Sequence, residues 1–403
     1  MTIGIFQLQA RGEQDEFLIG NPEVSFFKSV YRRHTNFSIQ TEELIFNNVV
    51  DWGKYSECII QRKGDLVARM YLRFKIPRLS DDRSNQSSQW VSNIGHAMIK
   101  FVEIEIGGQR IDIHTGESLY CTNQLSGGGS KRNGLDFMIG YEVEPQEERN
   151  IFIPLDFWFN KADSAFLPII ALDMHEVKIK LQLREFEEIT IGNADYVPLE
   201  DVSVITDYIY LDIDERKRIQ TTKRRYLIDQ TQINIENKTD RLINTVDLMF
   251  KNNVKEIYWM VRNVVQGDVG ESDAKDWFNY SYKNNANPIK NVTLRINGQD
   301  KFKQLSGEYF NLVQPFQHHS NIPENTGLCV YSFALNPETH QPSGTFNFSC
   351  VDNAQLIIEL HDDYFLDLES NDLDGEQEVS IQVYALSYNI LEIGDGKAKL
   401  LFD

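Results

Sequence analysis

Residues 102–110 have the sequence Val-Glu-Ile-Glu-Ile-Gly-Gly-Gln-Arg, and a similar pattern returns at 292–300 as Val-Thr-Leu-Arg-Ile-Asn-Gly-Gln-Asp. In both stretches apolar residues alternate with polar ones, which is typical of a half-buried β-strand. Gly107-Gly108 and Asn297-Gly298 then favour tight hairpin turns, because glycine and asparagine tolerate positive φ. The stretches are 190 residues apart (292 − 102). We therefore predict a duplicated β-sandwich.

Further matches follow in the same order. Gly116-Glu117 and Gly307-Glu308 are 191 residues apart (307 − 116), and each pair opens a polar-aromatic stretch, at 118–125 and 309–316. Later, 175–183 and 353–360 are both apolar-rich segments typical of strands. A repeat of this length is too long for a solenoid unit. Two unrelated hairpins are the alternative, which the matched order disfavours.

The rest of the chain also favours an all-β fold. Alternation recurs at 177–184 and 379–383, whereas helical periodicity is scarce. Short helices are predicted only at 21–31 and 116–125. Many short strands and two equivalent halves predict two jelly rolls or related sandwiches in tandem. The boundary between them is expected in the charged stretch at 212–226. Long polar loops between the strands are predicted at 80–89, 266–288 and 362–378.

Composition narrows the class of function. The chain has 403 residues, 41% of them hydrophobic, and a formal net charge of −20. An acidic protein does not coat nucleic acid unless its basic residues are clustered. Two basic clusters exist, at 32–34 and at 216–218 with 223–225. We interpret them as solvated faces or inter-domain contacts. Genome binding is the less favoured alternative, so no direct nucleic-acid partner is expected.

Cysteine usage and hydropathy point to a protein that is neither secreted nor membrane-spanning. No cysteine belongs to a C-x-x-C pair, so we expect small buried hydrophobes and a reducing compartment. We expect no secretory leader, since residues 1–5 lack a charged segment and a long apolar stretch, and no apolar run approaches the length that spans a bilayer. The four cysteines are Cys58, Cys121, Cys329 and Cys350.

A search for chemistry predicts no catalytic residue, no cofactor and no metal site. His114-Thr-Gly-Glu lacks the paired histidines of a cupin, and the adjacent His318 and His319 would point to opposite faces of a strand. The glycine run at 127–131 lacks the spacing of a phosphate loop. The acidic stretch at 370–381 lacks the ligands of a calcium loop. Candidate glycosylation sites, relevant only in a secretory compartment, are Asn85, Asn279 and Asn291.

Several motifs resemble the major capsid proteins of nucleocytoplasmic large DNA viruses. The segment 14–37, with Gly-Asn-Pro-Glu-Val-Ser-Phe-Phe-Lys-Ser-Val-Tyr-Arg-Arg-His-Thr-Asn-Phe, is similar to the amino-terminal signature of that family. Residues 102–117 and 153–177 resemble two further family stretches. The most specific similarity lies in 309–319 and 330–349, and 388–393 resembles the closing strand. The resemblance covers nearly the whole chain in the expected order.

This resemblance implies a virion capsid protein with two eight-stranded jelly rolls and few short helices in loops. It implies a homotrimer whose six barrels form a nearly hexagonal capsomer in an icosahedral shell. Neighbouring capsomers, minor capsid proteins and a peripheral contact with an internal viral membrane would be the partners, and assembly would take place in the host cytoplasm. We expect an arm at 1–25, a first jelly roll at 26–212 and a second at 213–403.

Structural roles are expected for turn residues rather than for catalytic ones. The arm would turn at Gly20-Asn21-Pro22, and a loop of the second barrel would be fixed by Pro342 and Gly344. The loops at 80–89 and 266–288 are candidates for the outer surface or for trimer contacts. A minor capsid paralogue is one alternative. Another is a carbohydrate-binding β-sandwich, which needs a concave face with aromatic side chains, and the tryptophans are too scattered to predict one: Trp90, Trp158, Trp259 and Trp277.

Overall fold

The computed structural model describes residues 2–79, 88–126, 131–144, 147–192, 194–264, 277–282, 285–364 and 378–402. Contacts divide the chain into two units, Met1–Asn36 and Phe37–Asp403. The predicted loops at 80–89, 266–288 and 362–378 lie mostly outside the described residues, as does Asn85.

Helices are short and few. In chain order they are α1 (Ile3–Gln9), α2 (Glu13–Ile19), α3 (Ile94–Ala97), α4 (Gly116–Ser126), α5 (Arg132–Ile139), α6 (Trp158–Lys161), α7 (Ile213–Thr221) and α8 (Gln314–His318). A π-helical turn at Tyr309–Val313 leads directly into α8. We call the combined element, residues 309–318, the second-half helix.

Strands dominate the second unit. They are β1 (Phe37–Ile45), β2 (Tyr55–Ile59), β3 (Leu66–Ile76), β4 (Gln89–Trp90), β5 (Ile99–Ile106), β6 (Gln109–His114), β7 (Arg149–Pro154), β8 (Val177–Leu183), β9 (Thr190–Ile191), β10 (Glu200–Leu211), β11 (Arg224–Thr239), β12 (Ile243–Asp247), β13 (Asn253–Val264), β14 (Ile289–Ile296), β15 (Gln299–Ser306), β16 (Cys329–Ser332), β17 (Phe346–Asn347), β18 (Ala354–Leu360), β19 (Glu378–Gly394) and β20 (Lys397–Leu400).

These strands form the same pattern twice. In the first half the four-stranded sheets have the orders β1-β10-β3-β7 and β2-β8-β5-β6. In the second half the orders are β11-β19-β13-β16 and β12-β18-β14-β15, with β17 and β20 as additions. In each half the first of the eight sheet strands pairs with the last of them, β1 with β10 and β11 with β19, as a jelly roll requires. The prediction of two tandem eight-stranded jelly rolls is confirmed.

The sequence repeat coincides with this duplication. The hairpins at 102–110 and 292–300 belong to β5-β6 and β14-β15, which occupy the same place in the two halves. The segments at 175–183 and 353–360 become β8 and β18, which are also equivalent. The predicted helix at 116–125 is confirmed as α4. The charged stretch at 212–226 contains α7, which connects the halves.

Two apolar clusters fill the second unit. One consists only of second-half residues and fills the second barrel. The other fills the first barrel and also includes second-half side chains such as Tyr258, Tyr384 and Leu386. The core of the first half therefore continues into the junction between the halves.

The predicted helix at 21–31 is wrong. That segment has no helical residue, and Asn21 adopts φ 47°. Its aromatic side chains are exposed, Phe27 by 99%, so no packing stabilises a helical turn there. Helices in this unit lie earlier, at α1 and α2, and neither buries a residue.

Candidate assembly surfaces

The two halves meet where α4 covers the outward face of the sheet β11-β19-β13-β16. Tyr258, Tyr384 and Leu386 point outward from that sheet, and all three are buried. Leu125 of α4 lines the same junction cavity as Tyr258 and Leu386. The hydroxyl of Thr115, one residue before α4, lies 3.1 Å from the Tyr384 hydroxyl. This sheet is thus covered on both faces.

A polar seam joins β6 of the first half to β11 of the second. The backbone N–H of Thr231 donates to Asp112 Oδ1 at 2.9 Å, and the Thr231 hydroxyl lies 3.2 Å from His114 Nδ1. The side-chain amide of Gln230 donates to the carbonyl of Ile111. Because these groups are largely buried, each hydrogen bond satisfies an atom that water cannot reach.

Buried charges reinforce the junction. Asp229 of β11 accepts from Lys255 Nζ at 2.9 Å and lies 3.7 Å from Lys161 Nζ of the first half. Lys161 is also 3.1 Å from Asp156. Burial alone would raise the pKa of Asp229, but the two ammonium groups outweigh it, and the pKa falls below its usual value. Asp229 is therefore the shared counter-ion of two lysines.

A buried histidine borders the same region. His319 Nε2 lies 3.2 Å from Glu256 and Nδ1 lies 3.4 Å from Glu338. Burial alone would lower the pKa of His319, but the two carboxylates raise it to about 9. The imidazole is thus a cation at neutral pH, and Glu256 and Glu338 are its counter-ions. These side chains line a cavity of about 290 Å³ to which both halves contribute.

The aromatic residues Trp277 and Phe278 pack against the first half at another part of the junction. The Trp277 ring lies between two guanidinium groups, with Arg184 at 3.7 Å and Arg262 at 3.9 Å from the ring centroid. Its Nε1–H donates to the carbonyl of Glu188 at 2.8 Å. Phe278 stacks on Tyr120 of α4 at 4.3 Å. These contacts hold the chain after β13 against the first half.

The equivalent sheet of the first half, β1-β10-β3-β7, has an open outward face. Glu43, Ile205 and Tyr71 form one row across β1, β10 and β3. Glu43 is exposed, and the other two are half-buried. Strand β1 is a free edge in which only Leu44 is buried. We call this surface the open sheet.

One side of the second-half helix is also open, whereas its counterpart α4 is buried over most of its length. Leu125 and Phe316 are equivalent in the repeat (316 − 125 = 191). Leu125 is 3% exposed, whereas Phe316 is 77% exposed. Leu312 and Val313 on the same helix are also exposed. We call Leu312, Val313 and Phe316 the Phe316 patch.

Family comparisons match these two halves. A model described as "Major capsid protein N-terminus" matches residues 25–212, and one described as "Large eukaryotic DNA virus major capsid protein" matches 215–398. The major capsid protein of Pyramimonas orientalis virus is 35% identical over 99% of both chains. The chain belongs to the family of large eukaryotic DNA virus major capsid proteins.

Solved structures of viral capsid proteins agree with the assignment to this family. PBCV-1 VP54 superposes with a TM-score of 0.79 at 27% identity, covering 94% of this chain and all of that one. The major capsid protein of Paramecium bursaria Chlorella virus 1 is 30% identical over the full length of both chains. The Faustovirus major capsid protein shares the fold, with a TM-score of 0.75 at 13% identity over 97% of both chains. These relatives are named as major capsid proteins.

Turn residues in this capsid-family chain adopt conformations suited to tight reversals. Gly107 and Gly108 have φ values of 59° and 85°, and Asn297 and Gly298 have 48° and 78°. Both pairs connect the strands of a hairpin. Gly344 has φ 134°. The roles predicted for Pro342, Gly344 and the Gly20-Asn21-Pro22 turn remain predictions.

The candidate glycosylation sites differ in accessibility. Asn279 is exposed, and its side-chain oxygen accepts from Ser281. Asn291 is half-buried in β14, and its amide donates to Glu359 at 3.0 Å. Modification of Asn85, Asn279 or Asn291 stays a prediction.

The basic cluster at 216–225 is partly neutralised within the chain. Arg216 lies 3.0 Å from Asp65 of the first half, as an inter-domain contact requires. Lys223 and Arg225 both pair with Glu392, which Lys399 approaches as well. These cations lower the pKa of Glu392 to about 2. No group of acidic, cysteine and histidine side chains suited to a metal ion occurs in the described ranges.

Other expectations concern cysteines, tryptophans and membrane spans. Cys58, Cys121 and Cys329 are buried and Cys350 is exposed, and all four are free thiols. None of the five tryptophans is exposed, which gives no support to an aromatic sugar-binding face. Within the described part of the chain, no helix has the length and apolarity to span a bilayer.

Sequence reasoning missed the charged junction residues. The adjacency of His318 and His319 argued against joint metal binding, but it did not reveal that His319 is buried between two carboxylates. Lys161, Asp229 and Lys255 carry no motif, because they are separated along the chain and meet only after folding. Alternation at 379–383, which lies in β19, predicts a strand but does not reveal that the outward face of this strand is covered by the first half.

Proposed function

We propose that this chain is the structural subunit of a viral capsid and that three copies form a capsomer. The duplication supports this proposal, since three chains with two equivalent barrels present six similar units around a three-fold axis. Such a block tiles a nearly hexagonal lattice. The relatives named as major capsid proteins support the same role.

In this proposal the protein functions through interfaces and not through catalysis. Neighbouring capsomers are its main partners in the virion. Minor capsid proteins and a peripheral contact with an internal membrane are further proposed partners, and assembly is proposed to occur in the host cytoplasm. The residue ranges 1–25, 26–212 and 213–403 serve as arm, first barrel and second barrel. The loops at 80–89 and 266–288 are proposed for the outer surface or for trimer contacts.

The solution mass of the purified protein tests the proposal. One chain has a mass of 46.7 kDa, so a homotrimer has about 140 kDa (3 × 46.7). Light scattering coupled to size-exclusion chromatography is expected to give that mass across a range of concentrations. A stable monomer at all concentrations would contradict the trimeric capsomer.

A further inference from the structure

Two surfaces of the chain lack the contact that their equivalents make at the junction between the two halves. Within one chain, α4 and β6 of the first half cover the sheet β11-β19-β13-β16 of the second half. The second-half helix and β15 are the equivalents of α4 and β6. The open sheet of the first half is the equivalent of the sheet that α4 and β6 cover. Each of these is exposed over much of its surface in the described part of the chain.

We propose that the Phe316 patch and β15 of one copy dock on the open sheet of a second copy. This contact would repeat, between chains, the junction that already exists within each chain. The inference rests on the proposed trimer and identifies the surfaces that form it.

Equivalent positions support this pairing. Leu125 of α4 is buried beside Tyr258 and Leu386 on the sheet that it covers. Phe316 is in the same place on the second-half helix but projects into solvent. The face equivalent to the Tyr258 row is that of Tyr71 and Ile205, which are only half-buried. The chain therefore exposes a large aromatic side chain on one surface and a half-buried apolar row on the other, and these two surfaces are complementary.

Strand burial supports it as well. β6 packs on β11, and its apolar and polar residues are largely buried at that seam. β15 is the equivalent of β6, yet none of its residues is buried. β1 is the equivalent of β11 and is likewise exposed over most of its length. A single contact between copies accounts for both exposed strands.

Charges on the two strands are opposite in sign. β15 presents Lys301 and Lys303, which have no ion-pair partner among the described residues. The free edge β1 presents Glu43, whose carboxylate also lies 3.0 Å from Arg73 in a partly exposed pair. Opposite charges at the rim of an interface favour the correct register and speed association.

A closed ring of chains is possible because each chain uses two different surfaces. Each chain offers the Phe316 patch to one neighbour and the open sheet to another, which makes the contact heterologous. Heterologous contacts form a ring when the rotation between copies closes. If neighbouring barrels are related by a similar rotation at the junction within a chain and at the contact between copies, three chains give six barrels in one ring.

Photocrosslinking tests the contact directly. The full chain would carry p-benzoylphenylalanine at position 316, and an equal mixture of ordinary and ¹⁵N-labelled chains would be irradiated. Crosslinked peptides between unlike chains are expected to map to β1, β3 or β10. The matched control places the same probe at Phe137, an exposed aromatic residue on α5. This control is expected to give no crosslink to those strands.

A second variant separates the inference from the proposed function. Phe316→Asp is expected to reduce the trimer fraction at least tenfold at a protein concentration where the parent is trimeric, and Phe137→Asp is expected to leave it unchanged. Circular dichroism would verify that both variants are folded. Trimers that form with Phe316→Asp, or crosslinks that map elsewhere, would overturn the inference and leave the trimer intact. A parent chain that never trimerises would overturn the proposed function itself.

Discussion

The equivalent sheets β11-β19-β13-β16 and β1-β10-β3-β7 have the same strand order but different surroundings. In the second-half sheet, strand β19 is buried without interruption from Val379 to Asn389, because the first half covers its outer face. In the first-half sheet, β10 begins with two exposed residues and then mixes buried with half-buried ones. Fold alone therefore does not determine burial. The position of a barrel within the tandem decides whether its outer face is interior or surface.

Charge placement differs in the same way. The second-half sheet buries Lys255 with Asp229, while the first-half sheet pairs Arg73 with Glu43 in a partly exposed position. A buried pair is costly to break, because removal of one partner leaves an uncompensated charge. An exposed pair contributes little. The two pairs permit a direct comparison of buried and open faces.

The largest expected effect comes from removing the shared junction carboxylate. Asp229→Ala leaves Lys255 and Lys161 without their common counter-ion and is expected to lower the free energy of unfolding by about 3–5 kcal/mol. The control Glu43→Gln on the open sheet is expected to cost about 0–1 kcal/mol. Urea denaturation measures both. Equal costs would show that the two faces do not differ as described.

The stability of the chain is expected to depend on pH, because His319 at the junction is protonated and paired with carboxylates. The pKa of His319 is raised from its ordinary value of 6.5 to about 9, so its stabilisation is complete below pH 6.5 and is lost as pH rises through 9. That shift corresponds to about 3 kcal/mol at most. Thermal unfolding between pH 6.5 and 9.5 should show a falling Tm in the parent chain. His319→Gln should flatten that part of the curve, and an unchanged slope would contradict the ion-pair assignment.

Two equivalent glycines test the duplication itself. A Cβ at Gly307 would lie 2.2 Å from the carbonyl of Ile289, and a Cβ at Gly116 would lie 2.7 Å from that of Ile99. Ile289 and Ile99 begin the equivalent strands β14 and β5. Gly307→Ala and Gly116→Ala are each expected to cost about 1–3 kcal/mol in denaturant titrations.

The control for these glycines lies in α5. Gly134 has open space around its Cα, so Gly134→Ala is expected to stabilise the chain by about 0.5–1 kcal/mol. If Gly307→Ala were equally well tolerated, the helix and strand would not be in the close contact that both halves share.

Ionic strength is expected to have the smallest effect, and only on contacts between copies. Each chain carries a net charge of −20, so neighbouring capsomers repel one another, and salt screens this repulsion over about 10 Å at 0.1 M. Association of capsomers, followed by light scattering, should increase several-fold as salt rises. The junction within the chain should not respond, because its charges are buried. Association that is indifferent to salt would contradict the electrostatic part of this account.

Much of the fold was predictable from local pattern. The hairpin repeats at 102 and 292, together with the Gly-Glu pairs, define the duplication because strand alternation and turn chemistry are local properties. The helix predicted at 21–31 was wrong because short helices depend on packing that sequence does not show. The junction could not be predicted for a related reason. Lys161 and Asp229 belong to different halves and are distant in sequence, and only the contact between the halves brings them together.

The most direct test of the central claim is a cryo-EM reconstruction of the purified oligomer. We expect a three-fold symmetric ring of six barrels in which the second-half helix of each chain lies on the open sheet of the next. The contact between chains should superpose on the junction within a chain. A trimer whose chains meet through other surfaces, with Phe316 and β1 still exposed to solvent, would contradict it.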